Sequence, residues 1–246
     1  MAEESKPKNA SDLAIEGVEK LIAAGLVLPA DYNYVNAIKT AYIQICGTYD
    51  KTSGKSLIEI CTPASVQTAL FLMAKDGLDA SKGQCYFSKK GNILKYDKEY
   101  HGVTLRVQRI FPNYTPCPKV VYEGDEFAYT TDPATGRRKL VKHEQSLANL
   151  DNGFVGAYLY IPCKDGGSDL YVMTRKMILT AWAQSRQGTS VHDKFTDKMV
   201  CKTIINSALD PLLKGSTDNT IVVEETEPEA VVEDVVFSDN VAELPE

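Results

Sequence analysis

The chain has 246 residues, of which 43% are hydrophobic and 24% are charged, an ordinary composition for a globular protein. No apolar run approaches the roughly 20 residues of a membrane span, and residues 1–6 lack the apolar stretch of a signal peptide. These features exclude a membrane-spanning class, and we expect a cytoplasmic protein. None of the six cysteines forms a Cys-x-x-Cys pair, so we expect free thiols rather than a zinc site or a redox pair.

The net charge of −6 is distributed unevenly. Residues 215–246 contain ten acidic residues and no lysine or arginine. Without that segment, 23 acidic residues stand against 27 basic ones, which gives residues 1–214 a net charge of +4. A basic body predicts a polyanionic partner. We expect the acidic tail to be disordered on its own. Three roles are open for it: to keep the protein soluble, to screen the basic charge of residues 1–214, or to dock a partner protein.

The first third of the chain has the pattern of a helical region. We predict helices capped by Ser11 and by Asp31, and a third helix that starts at Thr62-Pro63 and ends at Gly77. The sequence Ser53-Gly54-Lys55-Ser56 resembles the end of a nucleotide-binding P-loop. The motif requires a glycine where this chain has Tyr49, so we predict no ATP site.

Residues 81–109 are predicted to be β-like and basic, with a turn at Ser88–Asn92. Seven basic residues stand against only Asp97 and Glu99, and aromatic residues are interleaved with them. Cations for phosphates and aromatic faces for bases are what a single-strand groove requires. The alternative is a surface hairpin that its lysines keep soluble.

A further hairpin is predicted around the turn Asp132–Gly136, and the carboxylates Glu123, Asp125 and Glu126 precede it. They lack a companion histidine nearby in sequence, so a hairpin surface is favoured over a metal site. We find no nucleophile–base pair, nucleotide loop or metal-ligand spacing. The pattern therefore indicates a binding protein rather than an enzyme.

Residues 153–213 are predicted to organise the fold as a β-hairpin followed by two helices. Thr174 caps the first helix and Gly188 ends it, and the second runs from Asp193 to Asp210-Pro211. Met199 and Ile204 are predicted to be buried on the hairpin. On the other side of the second helix lie Lys194, Lys198 and Lys202, either as a solvated face or as a phosphate-binding stripe.

Several short motifs, taken in order, resemble those of the RecT-type phage recombinases, which are single-strand annealing proteins. They are Leu57–Ser65, Gly77-Leu78, Tyr100-His101-Gly102, Val121–Phe127, Val172–Lys176 and Met199–Thr203. The resemblance spans roughly residues 31–214. It departs from the family at His101, where arginine is common, and at Asn206, where a basic residue is common.

The resemblance implies a protein that binds single-stranded DNA and pairs complementary strands into duplex without ATP, in phage or prophage homologous recombination. It implies self-association into rings or filaments, and a phage exonuclease and a host single-strand-binding protein as partners. The implied fold is α+β, with a twisted antiparallel β-sheet or hairpins backed by a long helix and further helices. The predicted parts are an arm and helix (1–30), an annealing core (31–214) and the acidic tail (215–246).

The predicted DNA-binding residues are basic or aromatic. From residues 81–109 they are Lys82, Lys89, Lys90, Lys95, Arg106 and Arg109, with Tyr96 and Tyr100 as stacking candidates. From the C-terminal half they are Arg175, Lys176, Lys198 and Lys202. Trp182 is predicted to be a core residue. The alternatives are a phage structural or interaction protein, or a nuclease that uses Asp125 and Glu126 with Mg²⁺.

Overall fold

The structure, a computed structural model, describes residues 8–184 and 194–215. These residues form two compact units, residues 8–99 and residues 100–184 with 194–215. Among the described residues, no helix has both the length and the apolarity that crossing a bilayer requires.

The first unit packs helices against one β-hairpin. Its elements are α1 (Ala10–Ala23), α2 (Tyr34–Gly47), α3 (Leu57–Ile60), α4 (Pro63–Lys75), a 3-10 turn (Ala80–Lys82), β1 (Cys85–Lys90) and β2 (Ile93–Lys98). Val18, Ile38, Ile45, Leu70 and Met73 are fully buried and form much of its core.

The helix starts of this unit follow capping chemistry, although two caps differ from the prediction. The Asn9 side chain accepts from the N–H groups of Ser11 and Asp12, so Asn9 rather than Ser11 caps α1. In the same way Asn33, two residues beyond the predicted Asp31, caps α2. In both cases the asparagine oxygen lies where it can accept from the free N–H groups of the first turn. Thr62 caps α4 with Pro63 at its first position, as predicted.

In its described residues, the second unit contains a three-stranded antiparallel sheet of order β3-β6-β7, a separate hairpin β4-β5 and three helices. Its elements are α5 (Tyr100–Ile110), β3 (Lys119–Tyr122), β4 (Glu126–Thr131), β5 (Arg138–Glu144), a 3-10 turn (Leu147–Asp151), β6 (Phe154–Pro162), β7 (Ser168–Thr174), α6 (Arg175–Ala183) and α7 (Thr196–Lys214). The 19-residue α7 packs against α5, β3, β6 and α6. The predicted α+β class, with antiparallel hairpins and a long helix behind a sheet, is confirmed.

The core of the second unit lies between β6 and the helices. Val107, Leu159, Ile178, Val200 and Leu209 are fully buried in it. Trp182 is buried against Phe154, as predicted, and its indole N–H donates to Thr203 Oγ1 at 2.8 Å. This bond satisfies the one polar atom of the largest core side chain.

Residues 100–110 form a helix, so the β-like interpretation was wrong for this segment. Gly102, Val103 and Val107 are buried at helical spacing, and α5 packs on α7. Val103, Thr104, Val107 and Ile110 are β-branched and favour strands, but packing against α7 stabilises the helix and overrides that local preference. Tyr100, Arg106 and Arg109 therefore do not belong to the basic hairpin.

The last helix continues past Asp210-Pro211 and ends at Lys214, which also differs from the prediction. Leu212 and Leu213 are partly buried against the core, and Lys214 pairs with Asp210 at 2.7 Å. These contacts offset the helix-breaking tendency of the proline. The start predicted near Asp193 and the end of α6 predicted at Gly188 lie outside the described residues.

The buried side of α7 agrees with the prediction only in part. Ile204 is fully buried, as predicted, but Met199 is only half-buried and Phe195 is 54% exposed. The other core-facing residues are Val200, Ile205, Ala208 and Leu209. The buried side of α7 therefore faces away from Phe195.

Candidate nucleic-acid interface

The β1–β2 hairpin has one packed face and one exposed face, as strand alternation requires. Its strands are joined by the two-residue turn Gly91-Asn92, in which Gly91 has φ +65°. The hairpin is anchored at the first turn of α4, where Thr62 N–H donates to Asn92 O at 2.9 Å and Leu94 N–H donates to Ser65 Oγ at 3.0 Å. The first unit therefore holds the hairpin tip in place with bonds to a capped helix.

The exposed face of the hairpin carries two of the predicted lysines. Lys90 lies opposite Ile93, and Lys95 lies opposite Ser88. The pair Lys89–Leu94 between them belongs to the other face, so the two lysines lie in successive pairs of the same face. Tyr86 lies on the same face and is 45% exposed. Cations and an aromatic ring on one surface can contact phosphates and bases.

The packed face holds two other predicted residues. Lys89 Nζ lies 3.0 Å from Asp50 Oδ2, and this bond, with those from Ser53, lowers the pKa of Asp50 to about 2. The half-buried Tyr96 donates its hydroxyl to Asp76 Oδ2 at 3.0 Å, and Lys98 Nζ lies 3.1 Å from the same oxygen. The structure thus places both residues against the body of the unit.

Tyr86 was not among the predicted stacking residues, although the strand pattern contains the signal that would have identified it. Cys85 and Leu94 are the buried residues of the two strands. Counting by twos from Cys85 places Phe87 inward and Tyr86 outward. Lys82 is separate from the strands and is exposed at the end of the 3-10 turn before β1.

In the second unit, α5 carries three predicted residues. Tyr100 is partly buried against the core, and its ring centroid lies 3.9 Å from that of His101. Arg106 is half-buried and Arg109 is exposed, three residues apart on the helix. The two guanidinium groups therefore share one side of α5.

The N-terminus of α6 combines helix geometry with two cations. Thr174 Oγ1 caps the helix by accepting from Met177 N–H, and Arg175 and Lys176 follow directly, both exposed. Cations are disfavoured at a helix N-terminus, where the macrodipole and the free N–H groups favour anions. Arg175 and Lys176 therefore do not stabilise this helix through its macrodipole.

Arg175 is oriented by two neighbouring groups. Its Nη1 lies 3.7 Å from Glu123 Oε1, and its guanidinium carbon lies 5.5 Å from the ring centroid of Phe154. Arg175 and Glu123 are both exposed, so this ion pair contributes little stability. The guanidinium therefore has a preferred position but remains accessible to a phosphate.

The lysine stripe on α7 is short. Lys194 is exposed but lies before α7, which begins at Thr196, so it does not belong to the stripe. Lys198 is exposed, and its Nζ lies 5.7 Å from the ring centroid of Phe195. Lys202 is half-buried, and the stripe ends where Ile205 and Leu209 are buried. Asn206 is half-buried, and its Oδ1 is buried without a hydrogen-bond partner among the described residues.

The turn between β3 and β4 is held by a buried carboxylate. Asp125 Oδ2 accepts from Tyr122 N–H at 2.9 Å and from Gln145 Nε2 at 2.8 Å, and Oδ1 accepts from Asn149 Nδ2 at 2.9 Å. His143 Nε2 lies 3.3 Å from Oδ2. Burial alone would raise the pKa of Asp125, but these hydrogen bonds lower it to about 2.

The hydrogen bonds of this cluster also concern the alternative of a nuclease, which would use Asp125 and Glu126. Both oxygens of Asp125 accept hydrogen bonds, and Glu126 is paired with Lys142. In the part of the chain that the structure describes, no three His, Cys, Asp or Glu side chains are grouped to hold a metal. The role of Asp125 seen here is to fix the turn that carries Glu123, the partner of Arg175. The partnership with His143 was missed because 18 residues separate the two in sequence.

The predicted residues are thus divided between the two units. The first unit holds Lys82, Lys89, Lys90, Lys95 and Tyr96, and the second holds Tyr100, Arg106, Arg109, Arg175, Lys176, Lys198 and Lys202. Each unit presents exposed cations beside an aromatic ring. Such surfaces can neutralise phosphates and stack bases.

Comparison with known sequences assigns the chain to a family. A sequence model of the RecT family matches residues 41–237, and a comparison with curated proteins gave no match. The match contains all six motifs identified above, and it continues beyond α7 into the acidic segment. Because it covers well over half of the chain, the protein belongs to the RecT family of recombination proteins.

Proposed function

We propose that the protein binds single-stranded DNA and anneals complementary strands without ATP, in phage or prophage recombination. The observation that carries the proposal is the exposed face of the β1–β2 hairpin, where Lys90, Lys95 and Tyr86 lie together on a chain of the RecT family. Cations beside an aromatic ring are the composition of surfaces that bind single strands without sequence preference.

The mechanism we propose is physical and involves no covalent chemistry. Lysine and arginine side chains neutralise the phosphates of two strands and so reduce the repulsion that opposes their approach. Stacking and hydrogen bonding in the new duplex supply the driving force, at about 1.4 kcal/mol per base-pair step. No nucleotide hydrolysis is needed, because the product is more stable than the separated strands.

The residues we assign to the interface follow their exposure. In the first unit they are Lys82, Lys90, Lys95 and Tyr86, with Lys89 contributing less because Asp50 partly neutralises it. In the second unit they are Arg109, Arg175, Lys176 and Lys198, with Arg106 and Lys202 at its half-buried margin. Tyr96 and Tyr100 support these surfaces through packing.

The wider assembly is also part of the proposal. We propose residues 31–214 as the annealing core, residues 1–30 as an N-terminal arm and residues 215–246 as an acidic tail. The partners proposed are single strands, the annealed duplex, further copies of the chain in rings or filaments, a phage exonuclease and a host single-strand-binding protein.

An annealing assay tests this proposal against its two rivals. Two complementary oligonucleotides carrying a donor and an acceptor dye are mixed with the protein without nucleotide, with EDTA in one series and Mg²⁺ in another. We expect energy transfer to rise faster than in protein-free controls, with full-length strands in both series. Strand shortening with Mg²⁺ would identify a nuclease, and rates equal to the control would indicate a structural protein.

A further inference from the structure

The loop that joins α2 to α3, residues 48–55, is ordered by hydrogen bonds of its own. Asp50 N–H donates to Lys55 O at 2.9 Å, and Gly54 N–H donates to Asp50 O at 2.8 Å. Asp50 Oδ2 accepts from the N–H of Ser53 at 2.9 Å and from its hydroxyl at 2.8 Å. Because these N–H groups bond within the loop, they do not cradle a phosphate as those of a P-loop do. The groups that the loop can offer to an anion are therefore its lysine side chains.

This loop is tied to the β1–β2 hairpin at one point. Lys89 Nζ of β1 lies 3.0 Å from Asp50 Oδ2. Lys51 follows Asp50 in the chain, and Lys55 is hydrogen-bonded to it, so the two loop lysines flank the point of contact. Lys90, which we assign to the DNA interface, is the next residue after Lys89. The lysines of the loop and of the hairpin therefore belong to one positive region of the first unit.

The side chains of the loop are accessible. Lys51 and Lys55 are exposed, and neither has a carboxylate within ion-pair distance among the described residues. Tyr49 is 65% exposed, while its backbone is held by a β-bridge to the buried Ser56. The loop thus presents two cations and an aromatic ring, the same combination that the exposed face of the hairpin presents.

A depression of about 460 Å³ lies between the end of α2 and β1. Gln44 and Thr48 line it on one side, and Cys85, Tyr86 and Phe87 line it on the other. Since side chains from both faces of β1 contribute, the depression runs along the edge of that strand. Its volume is in the range of pockets that hold a small molecule, and so it can admit a nucleotide. It offers a path from Tyr86, on the hairpin, to the start of the loop.

The end of α2 is prepared for a neighbouring anion. The last carbonyl groups of a helix carry partial negative charge, which repels a phosphate when they have no donor. Here Ser56 Oγ donates to Cys46 O at 2.6 Å, and Thr48 Oγ1 donates to Gln44 O at 2.7 Å. These bonds reduce the negative potential that α2 directs towards the depression.

We propose that residues 48–55 form a second part of the single-strand site of the first unit, in which Lys51 and Lys55 contact phosphates and Tyr49 stacks on a base. A strand bound to the exposed face of the hairpin continues past Tyr86 and through the depression to the loop. The assignment rests on the proposed function, because its ligand is the single strand. It extends the site beyond every residue that the hairpin supplies.

Fluorescence anisotropy on the full-length protein tests the two kinds of contact separately, with a labelled oligothymidine and an abasic oligomer of equal length. Lys51→Ala with Lys55→Ala should lower the slope of log K against log salt by about 1.4, whereas Lys20→Ala with Lys39→Ala should leave it unchanged. Tyr49→Ala should keep the slope but lower the ratio of oligothymidine to abasic affinity at least about fivefold. Tyr49→Phe, which retains the ring, should keep the wild-type ratio.

Circular dichroism shows whether each variant is folded. An unchanged slope in the folded loop-lysine variant, or an unchanged ratio in Tyr49→Ala, would overturn the proposal. Lys90→Ala with Lys95→Ala is measured alongside to separate this failure from failure of the proposed function. If only the hairpin variant loses slope, the strand is bound without the loop and the proposed function stands. A wild type that binds neither oligomer would refute both.

Discussion

The exposed face of the β1–β2 hairpin makes a quantitative prediction about salt dependence. Lys90→Ala with Lys95→Ala removes two ammonium groups on that face without touching its packed side. Each phosphate contact contributes about 0.7 to the slope of log K against log salt for single strands, so the slope should fall by about 1.4. Between 50 and 200 mM salt, this difference corresponds to about a sevenfold smaller loss of affinity in the variant.

Fluorescence anisotropy with a labelled oligothymidine at four or five salt concentrations measures this slope. The matched control is Lys20→Ala with Lys39→Ala, which changes the net charge equally but alters exposed lysines on α1 and α2. We expect the control to keep the wild-type slope within about 0.3, because the proposal assigns no phosphate contact to its lysines. An unchanged slope in the folded hairpin variant, or an equal fall in the control, would refute the assignment of this face.

Three further predictions concern α7, the β3–β4 turn and the tail. Ile204→Ala should lower the free energy of unfolding, measured with denaturant, by about 2–5 kcal/mol because the side chain is fully buried. Lys198 is exposed, so Lys198→Ala should change this free energy by less than about 0.5 kcal/mol while weakening DNA binding. The reverse pattern would contradict the orientation of α7. The folded pKa of Asp125, about 2, lies below the ordinary value of about 3.9, so its contribution to stability is present above pH 4 and is lost as pH falls toward 2. Asp125→Asn should therefore flatten the pH dependence of the unfolding free energy between pH 4 and 2, and an equally steep dependence in the variant would refute this role. Deleting residues 216–246 removes ten acidic side chains and should tighten single-strand binding. The effect should be largest at about 10 mM salt, where the Debye length is about 30 Å. Equal affinities of the full-length and shortened proteins at every salt concentration would exclude screening by the tail.

Local signals in the sequence were sufficient for much of the fold. Thr62-Pro63 marks the start of α4 because proline suits the first helical position and threonine caps it. The hairpins follow from alternating strands around short turns, as at Gly91-Asn92. Asn9 and Ser11 are both suited to the N-cap position of α1, and the sequence pattern alone could not show which of them caps the helix.

The errors arose where distant contacts decide the structure. α5 is helical because Val103 and Val107 pack on α7, more than 90 residues further along the chain. Similarly, α7 continues through Pro211 because Leu212 and Leu213 find partners in the core. Neither contact is visible in a local window of sequence.

The residue types of the candidate site could be predicted from the sequence, but the faces on which its side chains lie could not. The excess of lysine in residues 81–109 identifies a basic surface, but burial decides which lysines face solvent. Lys89 is next to Lys90 in sequence, yet it pairs with Asp50 from the loop after α2. Likewise, the contacts of Asp125 with His143 and of Glu123 with Arg175 could be recognised only in the folded structure.

The most direct test of the central claim is the annealing rate of complementary oligonucleotides in EDTA without nucleotide, measured for three proteins. These are the wild type, Lys90→Glu with Lys95→Glu, and the charge-matched Lys20→Glu with Lys39→Glu. We expect the wild type and the control to anneal strands at similar rates, and the hairpin variant, shown by circular dichroism to be folded, to be at least tenfold slower. A wild type that does not accelerate annealing, or a hairpin variant as fast as the control, would contradict the account.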